Sequence, residues 1–283
     1  MNSAGRDGGR AGLQITIEFE GAMIQVYRIP VPKERLRAMP KDERVLLLLL
    51  GYASNQLSML QKLLTFATNR TPVKELEQHA TGAQTQMLVR LTVGALNEAW
   101  ELVRTRFIET TMAKDYLNRL DAGGQEAFGA LKRQFGGSNL LNKIRKNYAF
   151  HYPRSDDVDT AFESICNDPE LGGLLNLYFS THGFNSLFLL SDLVFIQGIA
   201  EKSGEPDLEA AQKRLMGEVS RASSNLVEFA RAFAAAAWLR HFGEEMIAKD
   251  IVAVTDAPNI DDVWLPFFVE VEAGHETSGG ADA

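Results

Sequence analysis

The chain has little of what would identify several common protein classes. Cys166 is the one cysteine among 283 residues, which excludes an internal disulfide framework or a cysteine-rich metal site and fits a reducing compartment. We expect Cys166 to be a small buried side chain. The most apolar runs, at 45–51 and 232–239, fall short of the roughly 20 residues that span a bilayer, and the N-terminus lacks a signal-peptide core. We therefore expect a cytoplasmic protein without a membrane partner.

The usual signatures of catalysis are also missing. The chain has no phosphate-binding glycine loop, no nucleophile-elbow serine and no histidine pair at a metal-ligand spacing, so we predict neither a metal nor a cofactor. The five histidines lie far apart. We expect His241 to complement a helix dipole, His182 to be structural, and His79 and His275 to be solvated. Only His151 has neighbours that suggest chemistry.

Acidic residues are absent from one long stretch of an otherwise acidic chain. The formal net charge is −8, which argues against coating nucleic acid over the whole surface, so any site for a polyanion must be local. Between residues 127 and 155 there is no carboxylate, whereas the basic residues there are Lys132, Arg133, Lys143, Arg145, Lys146 and Arg154. This stretch is the candidate site.

The hydrophobic pattern predicts a mostly α-helical protein, an antiparallel helical bundle with a few short peripheral β-strands at the termini. Alternation at Ile15, Ile17 and Phe19 indicates a strand, and we expect the two terminal regions to pair in one small sheet. The predicted divisions are a disordered N-terminus at 1–12, short strands at 13–40, a helical domain at 41–250, an extended segment at 251–272 and a disordered tail at 273–283.

Periodicity predicts the individual helices. Leu57, Leu60 and Leu64 mark a buried stripe on a helix over 41–70, and a short connection should set this helix antiparallel to the next. That second helix carries Leu88, Leu91, Leu96, Trp100, Val103 and Phe107. The further helices are predicted at 73–110, 111–121, 124–135, 138–152, 155–166, 185–203 and 207–240, and short extended pieces at 174–181, 250–255 and 263–272.

The helix over 138–152 holds the candidate site. We expect Ser138 to cap its start, Pro153 to stop it near Tyr152, and Ser155 to Asp157 to cap the next helix. Lys143, Asn147 and His151 are spaced to share one helix face, and Arg145 can reach the same end. Metal-free RNA cleavage needs a group that accepts the 2′-hydroxyl proton, a proton donor for the leaving oxygen, and positive charge near phosphorus. Histidine with arginine or lysine supplies these functions, and a two-fold dimer would supply two histidines.

The segment RKNYAFHY resembles the motif of the HEPN superfamily, an arginine followed after four to six residues by a histidine, often with a polar residue directly after the arginine. Arg145, Asn147 and His151 match the arginine, the polar residue and the histidine, with five residues between Arg145 and His151. In the commonest form arginine directly precedes asparagine, whereas Lys146 stands there in this chain, so either cation could face the phosphate. Glu98 falls where some members place an acidic residue.

The resemblance implies a helical fold and a homodimer whose paired motifs form one ribonuclease site. Arg145, Asn147 and His151 would be the catalytic residues, Lys143, Lys146 and Arg154 would hold substrate phosphates, and Glu98 would be a supporting acid. Many members of this superfamily are toxins or act in defence against phage, often with a nucleotidyltransferase-type antitoxin. We therefore expect RNA as substrate and such an antitoxin as a partner.

Two other interpretations are consistent with the sequence. The same basic face could dock an acidic protein or a nucleotide phosphate in a non-catalytic helical interaction module, with the helices at 41–110 forming the dimer interface. Alternatively, the aromatic-rich segment 176–196 could line a pocket for a small substrate, although no residue there stands out as a catalyst.

Overall fold

The protein is mostly α-helical, as the sequence predicts. The computed structural model describes residues 24–169, 175–181, 183–243 and 250–270, and helices account for 72 % of them. The α-helices are α1 (Lys33–Ala38), α2 (Lys41–Thr68), α3 (Glu75–Val103), α4 (Met112–Tyr116), α5 (Ala122–Phe135), α6 (Leu140–Ile144), α7 (Ser155–Cys166), α8 (Leu189–Ser203) and α9 (Leu208–Phe242). A π-helical turn follows α3 at Arg104–Ile108 and α6 at Arg145–Ala149. The strands are β1 (Ile24–Arg28) and β2 (Asp250–Val254).

The two long helices α2 and α3 pack as an antiparallel pair, which confirms the prediction from their short connection. Glu43 near the start of α2 lines one cavity with Thr105, which lies just after α3. Ala67 near the end of α2 lines another with Ala80 near the start of α3. Neighbours in sequence that run in opposite directions bury their apolar stripes against each other with little loop.

Most of the apolar residues predicted to form buried stripes on α2 and α3 are buried. Leu57 and Leu64 of α2 are buried, and Leu60 packs against the core from a partly buried position. On α3, Leu91 differs from the prediction because its side chain is exposed, whereas Leu96, Trp100 and Val103 are buried. α3 therefore keeps one narrow outward-facing edge.

Aromatic rings fill the core where α9 crosses the other helices. Phe107 contacts Phe128, Phe229 and Phe233 edge-on, with ring centroids 5.4, 5.1 and 5.9 Å apart. Edge-to-face contacts of this kind are favourable because the positive ring edge meets the negative face of its neighbour. The small residues of α9 let α5 approach closely, since a Cβ on Gly124 would lie 2.2 Å from the Ala232 Cβ atom.

The terminal regions pair in one small sheet, as expected. β1 and β2 are antiparallel, with Val26 opposite Val252 and Arg28 opposite Asp250, and these last two side chains form an ion pair. The expected strand at 15–19 lies outside the described residues. Within the region predicted as strands, Lys33–Ala38 is instead a short helix.

The remaining expectations are only partly met. The α8 helix starts at Leu189 rather than near 185, and the extended piece before it forms one bridge, between Tyr178 and Leu187. The segment 263–270 pairs in no β-ladder of the described chain, and a 3₁₀ turn at Ile260–Asp262 precedes it. Of the helices in the described ranges, none combines the length and the apolar content that a membrane span requires.

Candidate functional site

The helix that carries the basic stretch begins one residue later than predicted. Asn139, rather than Ser138, is the N-cap of α6, and its side-chain oxygen accepts the backbone N–H of Asn142 at 2.8 Å. Leu140, Leu141 and Ile144 are buried and fix the helix to the core. The polar face of the helix is consequently held outward.

The helix ends earlier than predicted because its last turn widens. Arg145–Ala149 is a π turn, and the helix stops there rather than near Tyr152. π turns hold more residues than α turns and often occur at functional sites. His151 therefore lies past the helix end, and the predicted single face of Lys143, Asn147 and His151 holds only for the first two. The Asn147 amide donates to the Lys143 carbonyl oxygen at 3.1 Å.

Arg145 meets the predicted supporting acid. Its Nη2 atom donates to Oε1 of Glu98 at 2.7 Å, which joins the π turn to α3. The Arg145 side chain is 35 % exposed and that of Glu98 is 57 % exposed, so water screens the pair and its contribution to stability is small. The contact orients the guanidinium more than it stabilises the fold.

The other candidate residues, within nine positions of Arg145 along the chain, are solvent-exposed. Lys143, Lys146, His151 and Arg154 are all exposed, and none forms an ion pair with any residue that the structure describes. The next helix begins without a side-chain cap, since the N-cap residue is Arg154 rather than one of the predicted Ser155 to Asp157. Lys143 and Lys146 are therefore open to an anion from outside, whereas the charge of Arg154 also acts on Asp157.

Two glycines make room for the two aromatic rings of this segment, the buried Tyr148 and the half-exposed Phe150. A Cβ on Gly198 of α8 would lie 2.3 Å from the Tyr148 hydroxyl oxygen, and one on Gly94 of α3 would lie 2.3 Å from the Phe150 ring. Burial, with the charges of Asp157 and Glu201, raises the pKa of Tyr148 to about 12. Tyr148 is thus a neutral anchor that packs edge-on to the Phe195 ring.

An apolar groove opens beside the site. It has a volume of about 440 Å³ and runs between α2 and α3 to Phe150; its lining residues are Tyr52, Asn55, Gln56, Met59, Leu60, Leu91 and Phe150. Tyr52, Met59 and Phe150 are 69 %, 58 % and 52 % exposed. None of the lining residues is charged. We call this surface the α2–α3 groove.

The sequence missed a second polar cluster, which lies beside the C-terminal end of α3 and the start of α2. The Glu43 carboxylate accepts hydrogen bonds from the Tyr116 hydroxyl and the His241 ring, and Arg240 lies 3.5 Å from both Glu43 and Asp115. His241 is in the last turn of α9, as expected, but a buried carboxylate is its partner. Because Glu43 and His241 are 198 positions apart, no local pattern connects them.

Opposing effects set the pKa values in this cluster. Burial alone would raise the pKa of Glu43, but the hydrogen bonds from His241 and Tyr116, with the charges of His241 and Arg240, place it below its ordinary value. Burial, with the hydrogen bond to Glu43 and its charge, raises the pKa of Tyr116. Glu43 is therefore ionised and Tyr116 neutral at pH 7.

The remaining predicted positions separate into two groups. His79 is partly buried against the Tyr178 ring, and Cys166 is exposed, so both expectations were wrong. His182 and His275 lie outside the described residues. Among the residues described, no group of histidine, cysteine and carboxylate side chains could hold a metal ion.

The aromatic-rich segment lines a groove, as the third interpretation requires. Leu190, Ser191, Val194 and Phe195 of α8 face Val158, Asp159 and Phe162 of α7 across about 490 Å³. Among the described residues that line it, Asp159 is the only titratable side chain, so none of them supplies a second group for a proton-transfer reaction.

No family model, curated protein or solved structure matches this chain. The resemblance of residues 145–151 to the HEPN motif therefore remains a prediction.

Proposed function

We propose that this chain is a HEPN-like, metal-independent endoribonuclease, in a toxin or phage-defence role, whose active site is completed by a second copy. The observation that carries the proposal is the Arg145–Glu98 pair on an exposed, otherwise cationic edge next to His151. The bond to Glu98 uses one of the five N–H groups of the Arg145 guanidinium, at 2.7 Å. Arg145 has no other side-chain partner among the described residues, so its remaining N–H groups can reach a phosphate.

The proposed reaction needs no group beyond these side chains and the RNA. His151 of one copy accepts the proton of a 2′-hydroxyl, whose oxygen forms a bond to phosphorus while the bond from phosphorus to the 5′ oxygen breaks. The same histidine of the second copy protonates that leaving oxygen. Arg145 stabilises the charge that develops on the phosphoryl oxygens, and Lys143, Lys146 and Arg154 hold neighbouring phosphates.

Replacing His151 tests this mechanism. We expect His151→Ala to lower the cleavage rate of single-stranded RNA in EDTA by about 10²-fold or more, the usual contribution of a general acid or base. The residue is exposed and lies outside any helix, so helicity and association should not change. Arg37→Ala, which alters an exposed residue of α1, is the control and should cleave at the parent rate.

The same assay tests the motif in two further ways. Arg145→Ala should cost more activity than Lys146→Ala, because Glu98 orients the former side chain. The reverse order would make Lys146 the cation at the phosphate. Equal cleavage by His151→Ala and the parent chain would refute the assignment.

The α2–α3 groove favours a second candidate function, a non-catalytic dimerisation module. We propose a second copy as its occupant for two reasons. In a two-fold dimer the same surface of each copy meets its counterpart. Because the residues that line the groove are uncharged, this contact would bring no like charges together. The groove also ends at Phe150, directly before His151, so an interface here would bring the two basic edges together.

A lysine in the groove tests this interface. Met59→Lys should convert a dimer into a monomer in sedimentation velocity, because pairing would bury two unpaired charges. Ser58→Lys adds the same charge at the adjacent exposed position outside the groove lining and should leave the mass unchanged. A dimer that persists in Met59→Lys would place the interface elsewhere, whereas a groove-dependent dimer without cleavage would favour the binding module.

A further inference from the structure

The segment after β2 crosses the end of the α2–α3 pair at which the short loop 69–74 connects the two helices, and it is fixed at several points. Asn69, just after α2, donates to the carbonyl oxygen of Val263 at 2.9 Å, and the Leu265 N–H donates to Phe66 at 3.0 Å. Farther along, Val269 exchanges two hydrogen bonds with the side chain of Asn185, at 2.8 and 3.1 Å. The residues between these ties are therefore held in one position.

A cavity of about 130 Å³ lies beneath this segment. Its walls are aromatic and aliphatic and come from both sides; the apolar lining residues are Phe66, Ala67, Pro72, Ala80, Trp264, Leu265, Pro266, Phe267 and Phe268. An apolar cavity of about 150 Å³ is known to hold benzene, so this space suits one six-membered ring. Any further part of a ligand would lie at its mouth.

The polar residues of the cavity are few and of distinct types. The Arg70 guanidinium carbon lies 5.6 Å from the centre of the Trp264 ring, and no carboxylate that the structure describes lies within 4.0 Å of this arginine. Glu77 and Thr81 also line the cavity, and the Glu77 carboxylate lies 3.8 Å from Lys74. A cation that has no carboxylate partner among the described residues lies beside an aromatic cavity, with hydrogen-bonding groups on the opposite helix, and this is the composition of a small-ligand site.

We propose that this cavity binds a small ligand that combines a planar six-membered aromatic ring with an anionic group. The ring enters between the aromatic walls, and the anion meets Arg70 at the mouth. Glu77 and Thr81 can accept ring N–H groups where the ring has them. The site is independent of the proposed ribonuclease function, because Thr81 and Glu98 are about 25 Å apart along α3 at 1.5 Å per residue.

Two sources share this chemistry, pyrimidine nucleotides and aromatic carboxylates, and the full-length protein can distinguish them. Trp264 is 51 % exposed, whereas Trp100 and Trp238 are buried, so a ring stacked at the cavity should change mainly the Trp264 fluorescence. The probes are uridine monophosphate and benzoate. Uridine, which has the ring without the anion, and inorganic phosphate, which has the anion without the ring, are the control compounds.

We expect a saturable fluorescence change with at least one of the two anionic ring compounds, half-complete below about 1 mM. Saturation by uridine monophosphate alone identifies a nucleotide site, and saturation by benzoate alone identifies an aromatic carboxylate site. Calorimetry of Trp264→Phe should retain binding without the optical signal. Failure of both compounds to bind in calorimetry, or equal affinity for uridine and its monophosphate without benzoate binding, would overturn the proposal.

Removing the cation provides the matched comparison. Arg70→Gln should weaken binding by about tenfold or more, the loss expected when a charged partner of an anion is removed. Arg37→Gln makes the same charge change at the opposite end of α2, a helix of 28 residues, and should bind like the parent chain. Equal binding by the two variants would exclude Arg70 as the anion contact.

Discussion

Glu43 links three elements through a single carboxylate. It lies in the first turn of α2, where a negative charge also complements the helix dipole, and it accepts hydrogen bonds from α4 through Tyr116 and from α9 through His241. Its side chain is 10 % exposed, so the loss of these partners would leave a nearly buried charge unpaired. A buried acceptor with two donors contributes more than an exposed ion pair such as Arg145–Glu98.

The stability of this cluster should depend on pH. We expect Glu43→Gln to lower the free energy of unfolding by about 1–3 kcal/mol at pH 7 in urea titrations. The folded-state pKa of Glu43 lies below its ordinary value of 4.5, so its contribution is present above about pH 4.5 and is lost as pH falls through the folded-state pKa. The difference between the variant and the parent chain should therefore shrink in acid.

A neighbouring carboxylate supplies the control. Asp42→Asn removes one negative charge from the same helical turn but leaves Tyr116 and His241 their acceptor. Its effect at pH 7 should be well below that of Glu43→Gln. A loss for Glu43→Gln that stays constant from pH 7 to pH 3 would show that packing, rather than charge, is responsible.

The helices around the basic segment, residues 140–149, influence where that segment stops being helical. The residues of α6 and its π turn are all acceptable in a helix, yet the backbone widens at Arg145 and ends at Ala149. The Tyr148 ring lies against Gly198 of α8, and the Phe150 ring lies against Gly94 of α3. The segment is thus anchored to two helices, and the backbone that carries its basic residues is held in place.

Gly198→Ala tests that anchoring. The added Cβ would lie 2.3 Å from the Tyr148 hydroxyl oxygen, so one helix must shift, and we expect a loss of about 1–3 kcal/mol in the free energy of unfolding. Adding Tyr148→Phe should recover part of the loss by removing that oxygen. Recovery should be incomplete, because ring carbons would still lie 2.9 and 3.2 Å from the new Cβ.

Gly82→Ala is the matched substitution on α3. Its Cβ would meet no atom within 4 Å, so alanine should raise stability by about 0.5–1 kcal/mol through its better helix propensity. If Gly198→Ala were also stabilising, Tyr148 would not be packed against α8 as described.

The lengths and partners of the elements differ in how well the sequence predicts them. The long helices α2 and α9 follow from sustained apolar periodicity, and the structure has them at Lys41–Thr68 and Leu208–Phe242. The end of the basic helix does not follow, because Pro153 explains a stop near Tyr152 but not the wider turn at Arg145. Phe150 packs against Gly94 and Tyr148 packs against Gly198. These glycines are too far along the chain for a local sequence pattern to reveal the contacts.

At the scale of the molecule, residues far apart in sequence join the segment after β2 to the rest of the fold. The Asn185 side chain accepts the Val269 N–H at 3.1 Å and donates to the Val269 carbonyl oxygen at 2.8 Å. One buried amide thereby satisfies both backbone groups of a residue that has no ladder partner. This contact also fixes the far end of the segment that covers the Trp264 cavity.

Asn185→Ala should therefore destabilise the whole fold. Both backbone groups of Val269 would lose their partner, and we expect the free energy of unfolding to fall by about 1–3 kcal/mol. Asn118→Ala, at an exposed position of a 3₁₀ turn, should change it by less than about 0.5 kcal/mol. Equal stability of the two variants in urea titrations would mean that residues 263–269 contribute nothing to the cooperative unit.

In the sequence itself, apolar periodicity determined that this chain is mostly helical, the short connection determined that α2 and α3 lie antiparallel, and the charge pattern determined that one helical segment is cationic. Burial of an apolar stripe needs only the local repeat of side chains, which the sequence states directly. Only the tertiary structure decided that Arg145 contacts Glu98, that Glu43 contacts His241, and that Trp264 covers the connected end of the α2–α3 pair. These contacts join residues tens to hundreds of positions apart, and their energies depend on distance and burial, which exist only once the helices have packed.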